Sequence, residues 1–347
     1  MQKPKIRTME KLSAAIGISR PTLSRFFQDP TSVRSSTRAR IENALQTVDY
    51  VPNFFATKMN RKTSGLIGVI IPHRNDLFFS TLVEAIETCA LASDYMIITQ
   101  SSRGDPALEV KVAQNLMLMG TDGVIMAPIG ETSSLEALTR LKSEQPVVFV
   151  DTRYENKLQD VDFVGTDNQQ SISLAVDYLC RSGEPPAFLG FPRLNSNSLE
   201  RERAYTNRML TLGHQPVVIK PSIAEPGWAF EDYAYKAMDA QFSHGNFVND
   251  TILCANDRLA IGVIRAANRH RLFGADGKST SRFRVAGHDD HPLSSYVLPS
   301  LTTVTQNIKA IADAATHQLL NHIRAGDREG EAVTLTFDAE LRLRDSA

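Results

Sequence analysis

The 347 residues hold three cysteines, one tryptophan and no long apolar run. Cys89, Cys180 and Cys254 are odd in number and far apart, with no Cys-x-x-Cys pair. That excludes a zinc knuckle and a disulfide framework, and leaves them as small buried hydrophobes of a reducing compartment. No apolar stretch of transmembrane length occurs, and the N-terminus lacks the apolar core of a signal peptide. The expectation is a cytoplasmic protein with no membrane partner. Catalytic signatures are missing too. There is no Gly-x-Ser-x-Gly elbow, and the run Gly274–Ser279 has Leu272 where a phosphate loop needs glycine. His288-Asp289-Asp290-His291 has metal-ligating residue types, but its spacing alone is weak support for a metal. Neither an enzyme nor a cofactor is expected.

The formal net charge of −1 identifies no partner, but its distribution does. Residues 1–62 carry twelve Lys/Arg against four Asp/Glu, so a head of charge +8 precedes a body of charge −9. A basic head on an acidic body is the footprint of polyanion binding; the plainer alternative is a solvated basic face. Apolar residues make up 42% and charged residues 22%, an ordinary globular balance for two or three domains.

The first fifty residues read as three short helices, with apolar residues at helical spacing: Met9, Leu12 and Ile16; Leu23, Phe26 and Phe27; Ile41, Leu45 and Val48. Thr8 and Ser19 stand at N-cap positions, and Gly17 separates the first two helices. From Leu66 the pattern changes. Apolar runs at 66–71, 95–99, 123–127, 147–150, 187–191, 251–255 and 283–287 alternate with helix-length amphipathic segments. Such runs indicate parallel strands covered on both faces. The alternation restarts after about residue 165, which predicts two doubly wound subdomains with a ligand cleft at their strand ends.

TMEKLSAAIGISRPTLSRFFQDP has the physics of a helix–turn–helix, whose second helix enters the major groove N-terminus first. Arg20 and Pro21 are then the reading positions. Arg20 can pair with guanine O6 and N7, and Pro21 offers only an apolar contact. Ser19, Thr22, Ser24 and Arg25 are placed to grip phosphates.

These residues resemble the head of the LacI/GalR family, whose form is roughly T-I-x-D-V-A-x-x-A-G-V-S-x-x-T-V-S-R. Tyr50-Val51-Pro52-Asn53 and the ATKM stretch after it are similar to the family's hinge. The likeness covers essentially the whole chain. It implies an α/β protein: a helix–turn–helix head (1–51), a hinge helix and linker (52–64), and a periplasmic-binding-protein-like core of two Rossmann-like subdomains (65–347). The first subdomain is expected over 65–165 plus 306–333, and the second over 166–305 plus 334–347. It also implies hinge contacts to DNA from Asn53, Ala56 and Met59. Met59 stands where the family carries a leucine that wedges between bases.

The same resemblance marks effector-binding positions. Residues 72–79 are close to P-x-x-x-N-P-F-F, which puts Phe78 and Phe79 on an apolar wall, with core packing as the alternative. Arg201 aligns with the ligand-clamping arginine. Trp228, Asn256 in A-N-D, Asp289 in G-H-D-D and Gln306 in T-T-V-T-Q match further cleft positions, with Asp257 as a structural cap. An arginine, a carboxylate, an amide and an aromatic wall suit a polyol. The resulting expectation is a homodimeric repressor of a carbohydrate-utilisation operon. A mono- or disaccharide effector in the core cleft would release it from a double-stranded, palindromic DNA operator. A co-repressor mode, with a purine or other small metabolite, is the alternative.

Overall fold

A computed structural model describes residues 4–51, 63–130, 134–154, 158, 160–191, 195–220, 227–274, 283–326 and 331–347. The chain falls into two compact units, Met1–Leu66 and Ile67–Ala347.

In the first unit, hydroxyl side chains start the first two helices. Thr8 accepts from the Lys11 amide ahead of α1 (Met9–Ile16), and Ser19 accepts from the Thr22 amide ahead of α2 (Arg20–Gln28). Between them Gly17 adopts φ 64°, a left-handed C-cap that glycine reaches without strain. Pro21 sits in the first turn of α2, where its missing N–H leaves no hydrogen bond unmade. α3 spans Ser35–Leu45. Leu12, Ile18, Leu23, Phe26, Ile41 and Val48 form the buried core of this head. Strand β1 (Lys5–Ile6) pairs in parallel with β2 (Asp49–Tyr50).

The second unit contains two six-stranded sheets among the described residues. The first lobe begins with β3 (Leu66–Ile71), α4 (Leu77–Leu91), β4 (Met96–Ser101) and α5 (Pro106–Leu118). It continues with β5 (Gly123–Met126), α6 (Leu135–Glu144), β6 (Val147–Val150) and β7 (Asp162–Thr166). Its strands β3, β5 and β6 are buried on both faces because both are covered. Ile67, Val69 and Ile71 face one cluster with Val148 and Val150; Ile70 faces the other with Val147 and Phe149.

The second lobe runs through α7 (Asn168–Ser182), β8 (Pro186–Leu189), α8 (Ser196–Thr211), β9 (Val218–Ile219) and α9 (Phe230–Ser243). It continues with β10 (Thr251–Cys254), α10 (Asp257–Arg269), β11 (Arg284–Asp289) and β12 (Thr302–Thr305). α11 (Ile308–Ala325) then packs back on the first lobe, against α4 and β5–β7.

The final strands separate. β13 (Thr334–Phe337) joins the first sheet, parallel to β7, and β14 (Glu340–Arg342) joins the second, antiparallel to β12. Residues 334–337 thus depart from the sequence expectation, which gave all of 334–347 to the second subdomain. TLTF is a half-exposed edge strand, so its composition does not indicate which sheet receives it. The sheet orders are β13-β7-β6-β5-β3-β4 and β14-β12-β11-β10-β8-β9. No helix among the described residues is long and apolar enough to cross a membrane.

Candidate functional site

The surface of α2 collects the residues singled out for DNA contact. Ser19, Arg20, Pro21 and Arg25 are exposed, and Thr22 and Ser24 are half-buried. Leu23 and Phe26 point the other way into the core, so the polar face is fixed by packing. Arg20 and Ser24, and Pro21 and Arg25, are each one turn apart on that face. Ser19 Oγ lies 2.8 Å from Thr22 Oγ1 and caps the helix, a structural task beside any phosphate contact. Asn53, Ala56 and Met59 lie outside the described residues.

In the second unit, side chains from both lobes converge at the carboxyl ends of the strands. That is where a doubly wound sheet leaves a crevice. The first lobe contributes Asp76, Phe78, Phe79 and Asp151. The second contributes Phe191, Asn195, Asn197, Arg201, Trp228, Phe230, Asn256 and Asp289. The free space among these side chains is about 40 Å³, well short of the roughly 300–1,000 Å³ of a small-molecule pocket. Side-chain bonds hold the lobes together across it. Asn197 donates to Asp151 at 3.0 Å, the Arg153 amide donates to Ser196 Oγ at 3.2 Å, and Arg258 pairs with Asp76 at 3.1 Å. A sugar-sized molecule enters only if the lobes part.

Arg201 is nearly fully buried, and its guanidinium is held from three sides. Nε donates to Asn168, Nη1 donates to the Ala255 carbonyl, and Nη1 lies 3.3 Å from Asp289 Oδ1. Asp289 also receives Gln306 Nε2 at 2.7 Å and faces His288 Nδ1 at 2.8 Å. Burial alone would raise the Asp289 pKa; Arg201, His288 and Gln306 overcome it and hold the carboxyl below its usual value. His288 is fully buried between Asp289 and Ser171 Oγ. Burial, then repulsion from Arg201, pushes it down to about 4, so at neutral pH it is an uncharged hydrogen-bonding link. Asp151 accepts from Asn197, and among the described residues it forms no ion pair. Burial pushes it up to about 7 against the pull of Arg201, and Asp289 adds to the rise.

The aromatic wall is continuous. Ring centroids are 5.5 Å apart for Trp228 and Phe230, 5.5 Å for Phe191 and Phe230, and 6.5 Å for Phe79 and Trp228. Phe78 and Phe79 both line the cleft and belong to the first-lobe core, so the two alternatives for them are not exclusive.

Six of the seven effector positions named from sequence therefore meet in one cleft: Phe78, Phe79, Arg201, Trp228, Asn256 and Asp289. Gln306 stands behind it, donating to Asp289 and accepting from Thr166. It lies just after β12, where the chain returns to the first lobe, so it braces Asp289 instead of lining the cavity. Asn256, not Asp257, caps α10, accepting from the Leu259 amide. Asp257 is fully buried and ties down the strand ends through Ser294, Thr303 and the His291 amide.

Sequence reasoning did not single out Asp76, Asp151, Asn195, Asn197, Phe191, Phe230 or Arg258. Asp151 directly follows an apolar strand run, which is the one signal that pointed to it. The others become a site only when the lobes meet.

Comparison with known proteins agrees with both units. Residues 8–53 match the bacterial regulatory proteins of the lacI family, and residues 67–327 match the periplasmic binding protein domain. The lactose operon repressor of Escherichia coli (strain K12) is 26% identical over 318 residues, covering 90% of this chain and 84% of that protein. Catabolite control protein A of Streptococcus mutans is 24% identical over 340 residues, covering 96% and 97%. The Lac repressor dimer, solved bound to operator and the anti-inducer ONPF, has the same fold, with a TM-score of 0.81 over 99% of each chain at 22% identity. The chain belongs to the LacI/GalR family of DNA-binding transcriptional regulators, which are not enzymes.

Proposed function

We propose that the chain is a homodimeric repressor of a carbohydrate-utilisation operon, released from a palindromic operator by a small sugar in the interlobe cleft. One observation carries the reading. Arg201 and Asp289 form a largely buried ion pair that lines the same cleft as Asn256 and Trp228. A planar guanidinium and a carboxylate suit hydroxyl pairs, and an aromatic face suits the C–H face of a sugar. In this reading Phe78, Phe79, Arg201, Trp228, Asn256 and Asp289 contact the effector and Gln306 supports Asp289. Ser19, Arg20, Pro21, Thr22, Ser24 and Arg25 contact DNA.

The mechanism is linkage between two sites. Sugar entry replaces direct bonds between lobes, so it changes their angle. The polypeptide leaves the first lobe at β3, so rotation of that lobe in a dimer changes the spacing at which two heads are presented. Palindromic half-sites tolerate one spacing, which couples the cleft to DNA. The test is a sugar panel read by thermal melting, then by anisotropy of a labelled operator duplex. A sugar at 100 times its Kd adds about 2.7 kcal/mol of stability. Release of operator by that sugar supports induction. Tighter operator binding means the co-repressor mode, and no sugar acting on either readout overturns the proposal.

A further inference from the structure

The cleft holds more carboxyl groups than it has cations to pair with them. Asp76 and Asp151 enter from the first lobe and Asp289 from the second, and Glu231, outside the lining, holds Arg258 from behind. Two guanidiniums face these four carboxylates. Arg201 is committed to Asp289. Arg258 is forked onto Glu231 through two 2.7 Å bonds, donates to the Trp228 carbonyl, and gives its remaining nitrogen to Asp76. Among the described residues, the Asp151 carboxyl has a single amide donor, Asn197.

A half-buried carboxylate without a cation still bears part of the desolvation cost, and a neutral hydroxyl offsets only part of it. The first lobe has cations to spare elsewhere. A pocket of about 540 Å³ on that lobe is lined by Arg74, Arg103 and Lys111 and, among the described residues, by no carboxylate. The surplus of acids in the cleft is therefore local.

The aromatic wall favours the same sign of charge. The π-faces of aromatic rings attract cations, and Arg258 already places its guanidinium carbon 4.9 Å over the Phe230 ring. Trp228, Phe79 and Phe191 surround the same space.

We propose that the effector carries a positively charged nitrogen beside its hydroxyls, as an amino sugar or another amine-bearing polyol, with Asp151 receiving the ammonium. This rests on the reading of the cleft as an effector site. The raised pKa of Asp151 is consistent with it: an ammonium there favours the ionised carboxylate that burial now opposes.

The test uses the intact protein at neutral pH and matched pairs: D-glucosamine against D-glucose, D-galactosamine against D-galactose, and D-mannosamine against D-mannose. N-acetyl-D-glucosamine keeps the nitrogen and removes its charge. Calorimetry is expected to show at least one amino sugar binding roughly tenfold tighter than its hydroxyl parent. The N-acetyl compound is expected to follow the parent, and the isosteric Asp151→Asn to close the gap. Parents binding as tightly as the amines, or a gap that survives Asp151→Asn, overturn the charge assignment. If neutral sugars bind and shift operator affinity, the sensor reading stands while this inference fails. If neither series binds or changes operator affinity, both fail.

Discussion

Arg258 of the second lobe places Nη1 3.1 Å from Oδ2 of Asp76 on the first, and both side chains are largely buried. This pair clasps the lobes directly, and Glu231 anchors the guanidinium from behind. Arg258→Ala leaves Asp76 and Glu231 without their cation. The expected loss of folding stability is on the order of 2–4 kcal/mol, somewhat below the cost of breaking a fully enclosed pair because Glu231 reaches solvent. Urea unfolding of Arg258→Ala, Asp76→Asn and the double variant gives the coupling. Additive effects mean that the clasp is not an energetic unit.

Trp228 is the only tryptophan, so its emission reports the cleft without a label. Gly104, on the loop between β4 and α5, has φ +69°, and a Cβ there would lie 2.0 Å from Trp228 Nε1. Gly104→Ala is expected to displace the indole, shift its emission and weaken effector binding while leaving operator binding intact. An unchanged emission maximum means that the ring does not rest against this loop.

Arg20 is expected to read one base pair in each half-site. Arg20→Ala relaxes preference at that pair by roughly 1–3 kcal/mol, measured by selection from randomised half-sites. An equal loss of affinity for all sequences, with a shallower salt dependence, makes Arg20 a phosphate contact.

His288 sets a pH dependence with a definite sign. Its folded-state pKa is lowered from 6.5 to about 4, so the unfolded chain binds the proton first as pH falls. The His288 contribution to stability is therefore lost on acidification between pH 6.5 and about 4, by about 3 kcal/mol. Asp151 is raised to about 7, so it acts oppositely and loses stability as pH rises through that value. His288→Gln removes only the histidine part. Its stability gap to the parent is expected to narrow steadily from pH 6.5 to 4, and parallel curves mean that His288 is not held neutral.

What the sequence reveals depends on whether meaning is local. The runs 66–71 and 147–150 can be read as strands because a short element apolar on both faces belongs inside a covered sheet. Thr8 and Ser19 read as caps because capping involves only the next few residues. TLTF at 334–337 is half-exposed at a sheet edge, and nothing within it names its partner. Arg258 looks like one more charge at a helix start. Its role lies in Asp76 and Glu231, 182 and 27 residues away. Asn256 and Asp257 show the same limit: the motif marks both, and only packing decides which one caps the helix.

The chain passes between the lobes three times, and its last two strands go one to each sheet. The carboxyl-terminal segment therefore behaves genetically as part of both lobes. A nonsense or frameshift lesion after Ala325 strips an edge strand from each sheet at once. It also removes Ser346, whose buried hydroxyl donates to the Val285 carbonyl. Such alleles are expected to score with loss of the whole sensor, and a gene split between the lobes at residue 166 leaves the amino-terminal fragment without α11 and β13, which only the carboxyl-terminal fragment encodes.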